Sequence, residues 1–376
     1  MRSPSGATVA PVSLTVAIDV GPLVGARTGI GHMVEHQLAA LAATGQVETF
    51  GYLSSFRAPL PENCRRLRFP ARIALACWAH SDHPRADRAL RGADVVHGTN
   101  YVVPPSRLPT VVTVPDTSLI TSPTLVRPVV RRFVPVLERA VARGAWVHTI
   151  SDHVAQQVRV LLDTDRVRTV HLAAPDRHER SVERPRVPGL ESYPYVAFIG
   201  RREPRKNLPR LVAAFGMVAG ELPDVRLVLA GPSGPDSAAV DMAIDALAPE
   251  AAERVIVTDY LPAKVRDALV DHAAVFAYPS LDEGFGLPLL EAMGAGVPVV
   301  AGDAGALPEV AGGAALMVDP LDTDAIATGL LLAMTDDGLR AQLVQAGNRR
   351  VEKFTWSDTA AGLIGLYREA VENEQS

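Results

Sequence analysis

Short apolar runs alternate with longer stretches of helical periodicity along the whole chain. Positions 14–19, 47–54, 94–98, 111–114, 147–151 and 167–172 are apolar runs too short for helices, and they predict strands. Amphipathic spacing over 32–43 and 152–162 predicts helices between them, with Ser151 as N-cap of the second. A second series follows, with strands expected at 195–200, 225–230, 255–258, 275–278 and 297–301, a helix at 207–218 and further helices from 322 to about 367. Strands alternating with helices argue for parallel sheets joined by right-handed crossovers. Only the stretch 59–91, rich in Pro, Arg and Ala, gives no better than ambiguous helix. A proline-rich linker at 173–194 separates the two series, so the expected architecture is α/β with two Rossmann-like domains, 13–188 and 189–358.

A length of 376 residues fits two domains, and 48% apolar content fits a globular protein. No apolar run approaches the roughly 20 residues of a membrane span. The first ten residues read as a floppy tail, and the apolar 14–18 is shorter than a secretory core. Cys64 and Cys77 have no metal-like spacing and read as two reduced thiols of a cytosolic protein. The net charge of −5 is unevenly spread: 23 basic against 15 acidic residues up to Leu190, then 14 against 27. Every cation in that first part is arginine, the residue that pairs bidentately with phosphate. A helical stretch at 126–143 sets Arg127, Arg131, Arg132, Arg139 and Arg143 among Val, Phe and Leu. It reads either as the solvated face of a core-packed helix or as a surface for anionic lipid or a lipid-diphosphate. No charge run points to nucleic acid.

Three glycine-bearing stretches carry the candidate chemistry. Glu283-Gly284-Phe285-Gly286-Leu287-Pro288 follows the strand at 275–278 and opens a helix that places Glu291 one turn in. Backbone N–H groups there favour an anion, and the two carboxylates suit hydroxyls. Read alone, a Glu pair at this spacing is an ordinary solvated helix. Upstream, Gly200-Arg201-Arg202-Glu203-Pro204-Arg205-Lys206-Asn207 joins a strand to a helix. Arg201 and Lys206 stand where two cations can meet a diphosphate, while Arg202 and Arg205 are expected at solvent or on acidic neighbours, with Glu203 and Asn207 orienting the group. The loop 21–31 brings Gly29 and Gly31 between a strand and a helix. Asp322-Thr323-Asp324 has the spacing of a metal-binding pair but reads as a helix cap, so no metal and no cofactor are expected.

Taken together, EGFGLPLLEAM and GRREPRKN resemble the retaining glycosyltransferases of family 4, over about 14–367 and more densely in the second half. The resemblance implies the GT-B fold: two Rossmann-like domains facing across a cleft, with the last helix, here about 359–371, crossing back to the first domain. It implies an enzyme that moves a hexosyl group from a nucleotide-sugar donor to a glycan or lipid-linked acceptor, in cell-surface polysaccharide or glycolipid synthesis. The resemblance implies work in the cytoplasm, either free or in peripheral contact with the inner membrane surface. By the same resemblance, Lys206 and Arg201 meet the diphosphate, and Glu283 takes donor-sugar hydroxyls. Glu291 takes the ribose hydroxyls, and Gly284, Phe285, Gly286 and Leu287 offer backbone donors. The base stacks near Leu261 with backbone contacts at Tyr260, and Gly29 and Gly31 reach the diphosphate and acceptor. The EPRKN variety often accompanies transfer from GDP-mannose.

One departure stands out. Family members usually carry a His-Asp pair where this chain reads Pro115-Asp116. That His commonly meets the donor's 6-hydroxyl, so its loss implies either a 6-deoxyhexose donor or a substitute such as His97 or His148. For each of these two histidines a satisfied structural role is the simpler expectation. Asp116 is the one carboxylate to test as nucleophile. A nucleotide-sugar-binding protein without turnover is the alternative of another class, and a phosphorylase lacks its usual lysine motif.

Overall fold

The computed structural model describes residues 14–24, 29–55, 58–123, 128–174, 181, 183–190 and 192–375. The expected tail, part of the loop 21–31, Arg127 and the linker turn at Pro175 lie outside the described residues. Two compact units result. The first takes the described residues up to Ile150, Ala155–Val170 and those from Trp356 onward; the second takes Ser151–Val154 and His171–Thr355.

The first unit is built on a seven-stranded parallel sheet: β1 Leu14–Asp19, β2 Val47–Leu53, β3 Cys64–Arg66, β4 Val95–Gly98, β5 Thr110–Val114, β6 Trp146–Thr149 and β7 Val167–Thr169. Their order is β3-β2-β1-β4-β5-β6-β7. β4 is buried along its whole length, as a strand covered by helices on both faces must be. β3 and the helix Ala71–Trp78 occupy the stretch that gave only ambiguous helix. Of the expected helix at 126–143, the described part is two pieces, Pro128–Arg131 and Val134–Ala142, because Pro135 starts a new first turn. Arg139 and Arg143 both reach Asp82, at 2.9 and 3.1 Å, so two of the arginines of that stretch are held within the unit.

The C-terminal helix Trp356–Gln375 belongs to this unit. Leu363, Ile364 and Tyr367 share one buried cluster with Val16, Leu41 and Val47, so the last helix closes the core formed by the first two strands. Gly362 permits the approach: a Cβ there would stand 2.8 Å from Val170 Cγ1.

Beneath this helix runs a chain of polar groups. Tyr367 Oη lies 2.7 Å from His97 Nδ1, His97 Nε2 lies 2.7 Å from Thr113 Oγ1, Thr113 Oγ1 lies 2.9 Å from His148 Nδ1, and His148 Nε2 lies 3.2 Å from Val170 O. The carbonyl end fixes the direction. His148 Nε2–H must donate to it, Thr113 then donates to His148 and accepts from His97 Nε2–H, and Tyr367 donates to His97. Both histidines are thus neutral with every ring nitrogen used, and neither can stand in for the side chain missing at Pro115. Burial agrees, pushing His97 well below its usual value and His148 down to about 4.

The second unit carries a six-stranded parallel sheet: β8 Tyr195–Ile199, β9 Arg226–Ala230, β10 Val255–Thr258, β11 Val275–Tyr278, β12 Val299–Gly302 and β13 Leu316–Val318. The order β10-β9-β8-β11-β12-β13 reverses direction between β8 and β11. Ligands of open parallel sheets sit at such a switch point, beyond the strands' carboxyl ends. The helix Leu208–Glu221 covers the sheet through Leu211, Val212 and Phe215, all fully buried.

A histidine buried neutral costs stability only when protons are plentiful. Between the unfolded value near 6.5 and about 4, the unfolded chain binds a proton that folded His148 refuses, so stability is intact above pH 6.5 and falls as pH drops toward 4. Urea unfolding across this range should show the loss, at about 1.4 kcal/mol per pH unit for each such histidine, and His148→Gln should make it shallower.

Candidate functional site

The second unit's switch point is assembled from two strand-to-helix loops. β8 ends at Ile199, and the chain passes through Gly200 to Glu203 into a 3-10 turn, Pro204–Lys206, before Asn207 turns left-handed at φ 59° and the helix begins. β11 ends at Tyr278, and its loop reaches the helix Leu287–Gly294 through Gly286 at φ 103°. A Cβ on Gly286 would lie 2.7 Å from Leu307 Cδ2, so both its backbone angle and its surroundings require glycine. Asn207 binds the loops together, its Nδ2 donating to Pro279 O at 3.1 Å and Pro320 O at 2.6 Å. Leu281 N–H donates to Arg205 O at 2.7 Å.

Inside this frame Glu283 is buried with two cations. Arg205 Nη1 donates to Glu283 Oε2 at 2.5 Å, and Lys206 Nζ donates to Glu283 Oε1. Lys206 also donates to Tyr278 Oη at 2.5 Å. Burial alone would raise the Glu283 carboxyl, but the Lys206 and Arg205 charges outweigh it and hold it at about 2. Burial lowers Lys206 while Glu283 pulls it the other way. Tyr278 is raised by burial and by the Glu283 charge, so its hydroxyl stays protonated. The result is a buried carboxylate with two charges against it and an ammonium with two of its three protons committed.

Lys206 and Glu283 are therefore brought together. Arg201, whose side chain is half exposed, bonds elsewhere: its Nε donates to Ser233 O at 3.2 Å, and its Nη1 lies 3.8 Å from Glu203 Oε1. The second cation on Glu283 is Arg205, expected at solvent or on an acidic neighbour; it is on the neighbour. Arg202 also finds an acidic neighbour, its Nη2 lying 3.5 Å from Asp259 Oδ1, and is not at solvent. It is 7% exposed and donates to Ser237 Oγ, Thr258 O and Ser233 Oγ, which makes it the anchor of the loop after β9. Glu203 accepts from Arg205 Nε at 3.2 Å.

Glu291 lies one turn into its helix and takes contacts from Arg266 Nη1 at 3.2 and 3.4 Å. The Phe285 ring is buried against Phe354, centroids 5.7 Å apart, which leaves only its backbone for a ligand; Gly284 and Leu287 are partly exposed beside it. Tyr260 follows β10 and is 79% exposed, and Leu261 is half-buried next to it. Asp322 accepts from Asp324 N and Ala325 N, which is the cap expected of it. Among the described residues one group has metal-like spacing, Asp152, His171 and Glu309, within 4.8 Å in the second unit. His171 Nε2 already meets Glu309 Oε1 at 2.6 Å, and the Asp152 and His153 N–H groups donate to the same carboxylate, a helix-capping arrangement.

In the first unit, Asp116 follows β5. Its Oδ1 accepts from Tyr101 Oη at 2.9 Å, Ser118 N at 3.0 Å and Ser118 Oγ at 2.6 Å. Tyr101 holds φ 59° to make that contact, a strained backbone for a bulky residue. Asp19 ends β1, and burial raises it to about 6 against the opposing Gly21 N–H. Gly29 and Gly31 lie in the first turn of the helix Gly29–Thr44.

The sequence model described as glycosyl transferases group 1 matches residues 180–350. Over 321 residues the chain is 30% identical to the O-antigen chain mannosyltransferase B of Escherichia coli, covering 83% of this chain and 81% of that protein. The chain belongs to the glycosyl transferases group 1. This group 1 enzyme is a hexosyltransferase. It is also 35% identical over 212 residues to the D-inositol 3-phosphate glycosyltransferase of Salinispora arenicola, 53% of this chain but only 46% of that protein. Sucrose-phosphate synthase from Thermosynechococcus elongatus superposes with a TM-score of 0.68 at 21% identity, over 95% of this chain and 98% of that one. WaaG, a glycosyltransferase involved in lipopolysaccharide biosynthesis, gives 0.66 at 15% identity, over 93% and 98%. The group 1 chain has the GT-B fold.

Removing one partner from a buried ion cluster costs about 3–5 kcal/mol, because the other charge is left without compensation. Glu283→Ala strands Lys206 and Arg205 and should lower urea-unfolding stability by about that much, whereas Tyr278→Phe, which removes one neutral hydroxyl, should cost about 1 kcal/mol.

Proposed function

We propose that this glycosyltransferase moves a hexosyl group from a nucleotide-sugar donor, with retention of anomeric configuration and without a metal, to a glycan or lipid-linked acceptor. The carrying observation is the Lys206–Arg205–Glu283 cluster at the switch point of the second sheet. A nucleoside diphosphate leaves with growing negative charge, and preorganised cations stabilise it where other enzymes use a metal. Lys206 keeps one proton for that phosphate, and Arg201 supplies a mobile second charge from the same loop. Glu283 holds the sugar's hydroxyls, Glu291 the ribose, and the backbone at Gly284 to Leu287 the sugar and phosphate. The base lies at Tyr260 and Leu261.

The departing phosphate oxygen takes the acceptor's proton as the acceptor attacks from the same face, so no dedicated base is needed. Asp116 then supports its loop rather than attacking carbon. The donor is GDP-mannose in this proposal; two similar proteins are named as mannosyltransferases, the O-antigen enzyme and the phosphatidyl-myo-inositol mannosyltransferase of Mycolicibacterium smegmatis. Those names also favour cell-surface polysaccharide or glycolipid assembly in the cytoplasm, at the membrane's inner face. Among the described residues no helix is long and apolar enough to cross a membrane.

A 6-deoxyhexose donor is the second reading, favoured by one observation. Pro115 removes an imidazole, and His97 and His148 have all their nitrogens committed in the core.

Turnover with a panel of GDP-, UDP- and dTDP-sugars tests the proposal. GDP-mannose should be turned over in the presence of a chelator, and NMR should show the product's anomeric configuration unchanged from the donor's. Lys206→Ala should lower kcat by about 10² or more, and Asp116→Asn should keep most of the rate. Inverted product, loss of activity with chelator, or Lys206→Ala within threefold of wild type would each overturn it. A preference for GDP-fucose over GDP-mannose selects the second reading.

A further inference from the structure

Glu291 is not the end of its own network. Arg266, on the helix Ala263–Asp271, spreads one nitrogen across both Glu291 oxygens, Nη1 lying 3.2 Å from Oε1 and 3.4 Å from Oε2. Its other two nitrogens are fixed from behind, with Nη2 and Nε donating to Asp267 Oδ1 at 2.9 and 3.2 Å. The guanidinium is planar and rigid, so gripping it at Asp267 sets the direction in which Nη1 points, and a charge meeting both oxygens from that direction sets where the Glu291 carboxylate comes to rest. The contact is long and shared. A carboxylate has about four lone-pair sites, and a single straddling N–H leaves most of them open. Glu291 is 17% exposed, against 6% for Glu283, whose two oxygens each already carry a charged bond.

We propose that Arg266 is a positioning residue for the nucleoside half of the site: it orients Glu291 so that its free lone pairs accept both ribose hydroxyls of a nucleoside diphosphate. The proposal rests on Glu291 as the ribose acceptor. Arg266 itself touches neither base nor phosphate in this scheme. Its contribution is confined to the two hydroxyls, which separates it from a residue that merely holds the fold.

Calorimetric titration with GDP and 2′,3′-dideoxy-GDP tests it, with UDP and 2′,3′-dideoxy-UDP for a protein that prefers uridine. Wild type should bind the ribonucleotide more tightly than the dideoxy form. Arg266→Gln should weaken the ribonucleotide by roughly tenfold, as for one misdirected charge-assisted contact, and leave the dideoxy affinity within twofold. Arg266→Lys, which keeps charge without the fork, should recover only part of the loss. Glu291→Gln should erase the discrimination, and the double variant should be no worse than Glu291→Gln alone. If Arg266→Gln weakens both nucleotides equally, or neither, the positioning role is overturned while Glu291 stands. If Glu291→Gln keeps the discrimination, or neither nucleotide pair binds, the ribose assignment falls and the Arg266 role with it.

Discussion

A carboxylate taken out of water must be paired, and the second unit is arranged around satisfying that demand at Glu283. A lone buried carboxylate would neutralise by taking up a proton; two cations instead keep this one ionised, held at about 2. Arg205 and Lys206 can both reach it only because Pro204–Lys206 is a 3-10 turn. Asn207 then has to turn left-handed to start the next helix, and its amide closes the gap to Pro279 and Pro320. The ion cluster, the turn and the two loops thus form one structure. A buried ion pair is weak evidence of stability gained, since apolar packing often does as well. Its retention here suits a group that must present charge to a ligand.

The two units bury polar groups in opposite ways. Under the C-terminal helix of the first, Tyr367, His97, Thr113 and His148 form a one-directional series ending on Val170 O, with each member neutral and fully used. A completed series offers nothing to a ligand and serves to fix the helix on the sheet. The Glu283 cluster is charged and keeps one lysine proton uncommitted. The two histidines stand on β4 and β6, the strands that flank β5, and they are core, as the simpler expectation had it.

Most of this was legible in the chain because periodicity and loop chemistry agree. Parallel strands covered on both faces read as apolar runs, which is why β1, β2, β4 to β6, β8, β9, β11 and β12 stand out; β10, at an edge and unburied, stands out only by its β-branched residues. β3 and β13 have three residues each at sheet edges, too few for a period to register; β7 is as short, and it stood out only because the apolar run continues past it to Leu172. The helix at 126–143 failed for a local reason: its apolar spacing runs on across Pro135, while proline cannot continue a helix. At the site, Lys206 and Glu283 could be named through the two motifs of the resembling family; a charge in a glycine-bearing loop would alone have pointed as well to Arg201, which bonds to Ser233 O instead. Four residues in a non-periodic loop carry no such signal of direction, so Arg202 and Arg205 could not be told apart, and one anchors the β9 loop while the other faces Glu283. Tyr278 reads as the last core residue of a strand, and only the folded chain shows its hydroxyl on Lys206.

Lysine at 206 follows from counting donors. An ammonium has three protons on one atom, arranged tetrahedrally, so it can bind Tyr278 and Glu283 and still direct the third along a different axis. A guanidinium at the same place would lie in one plane with Glu283 and spread its remaining donors toward Tyr278 and the buried strand ends. Arginine is used where one cation must serve two acidic groups, Arg205 joining Glu283 to Glu203 and Arg266 joining Glu291 to Asp267. The contacts of 2.5 Å at the first and 3.2 to 3.4 Å at the second grade how much accepting capacity each carboxylate retains. Glu283 is closely committed to its two cations, while Glu291 has one longer, shared contact. One pair of residue types, set at two distances, yields an electrostatic anchor at the first and an accepting edge at the second.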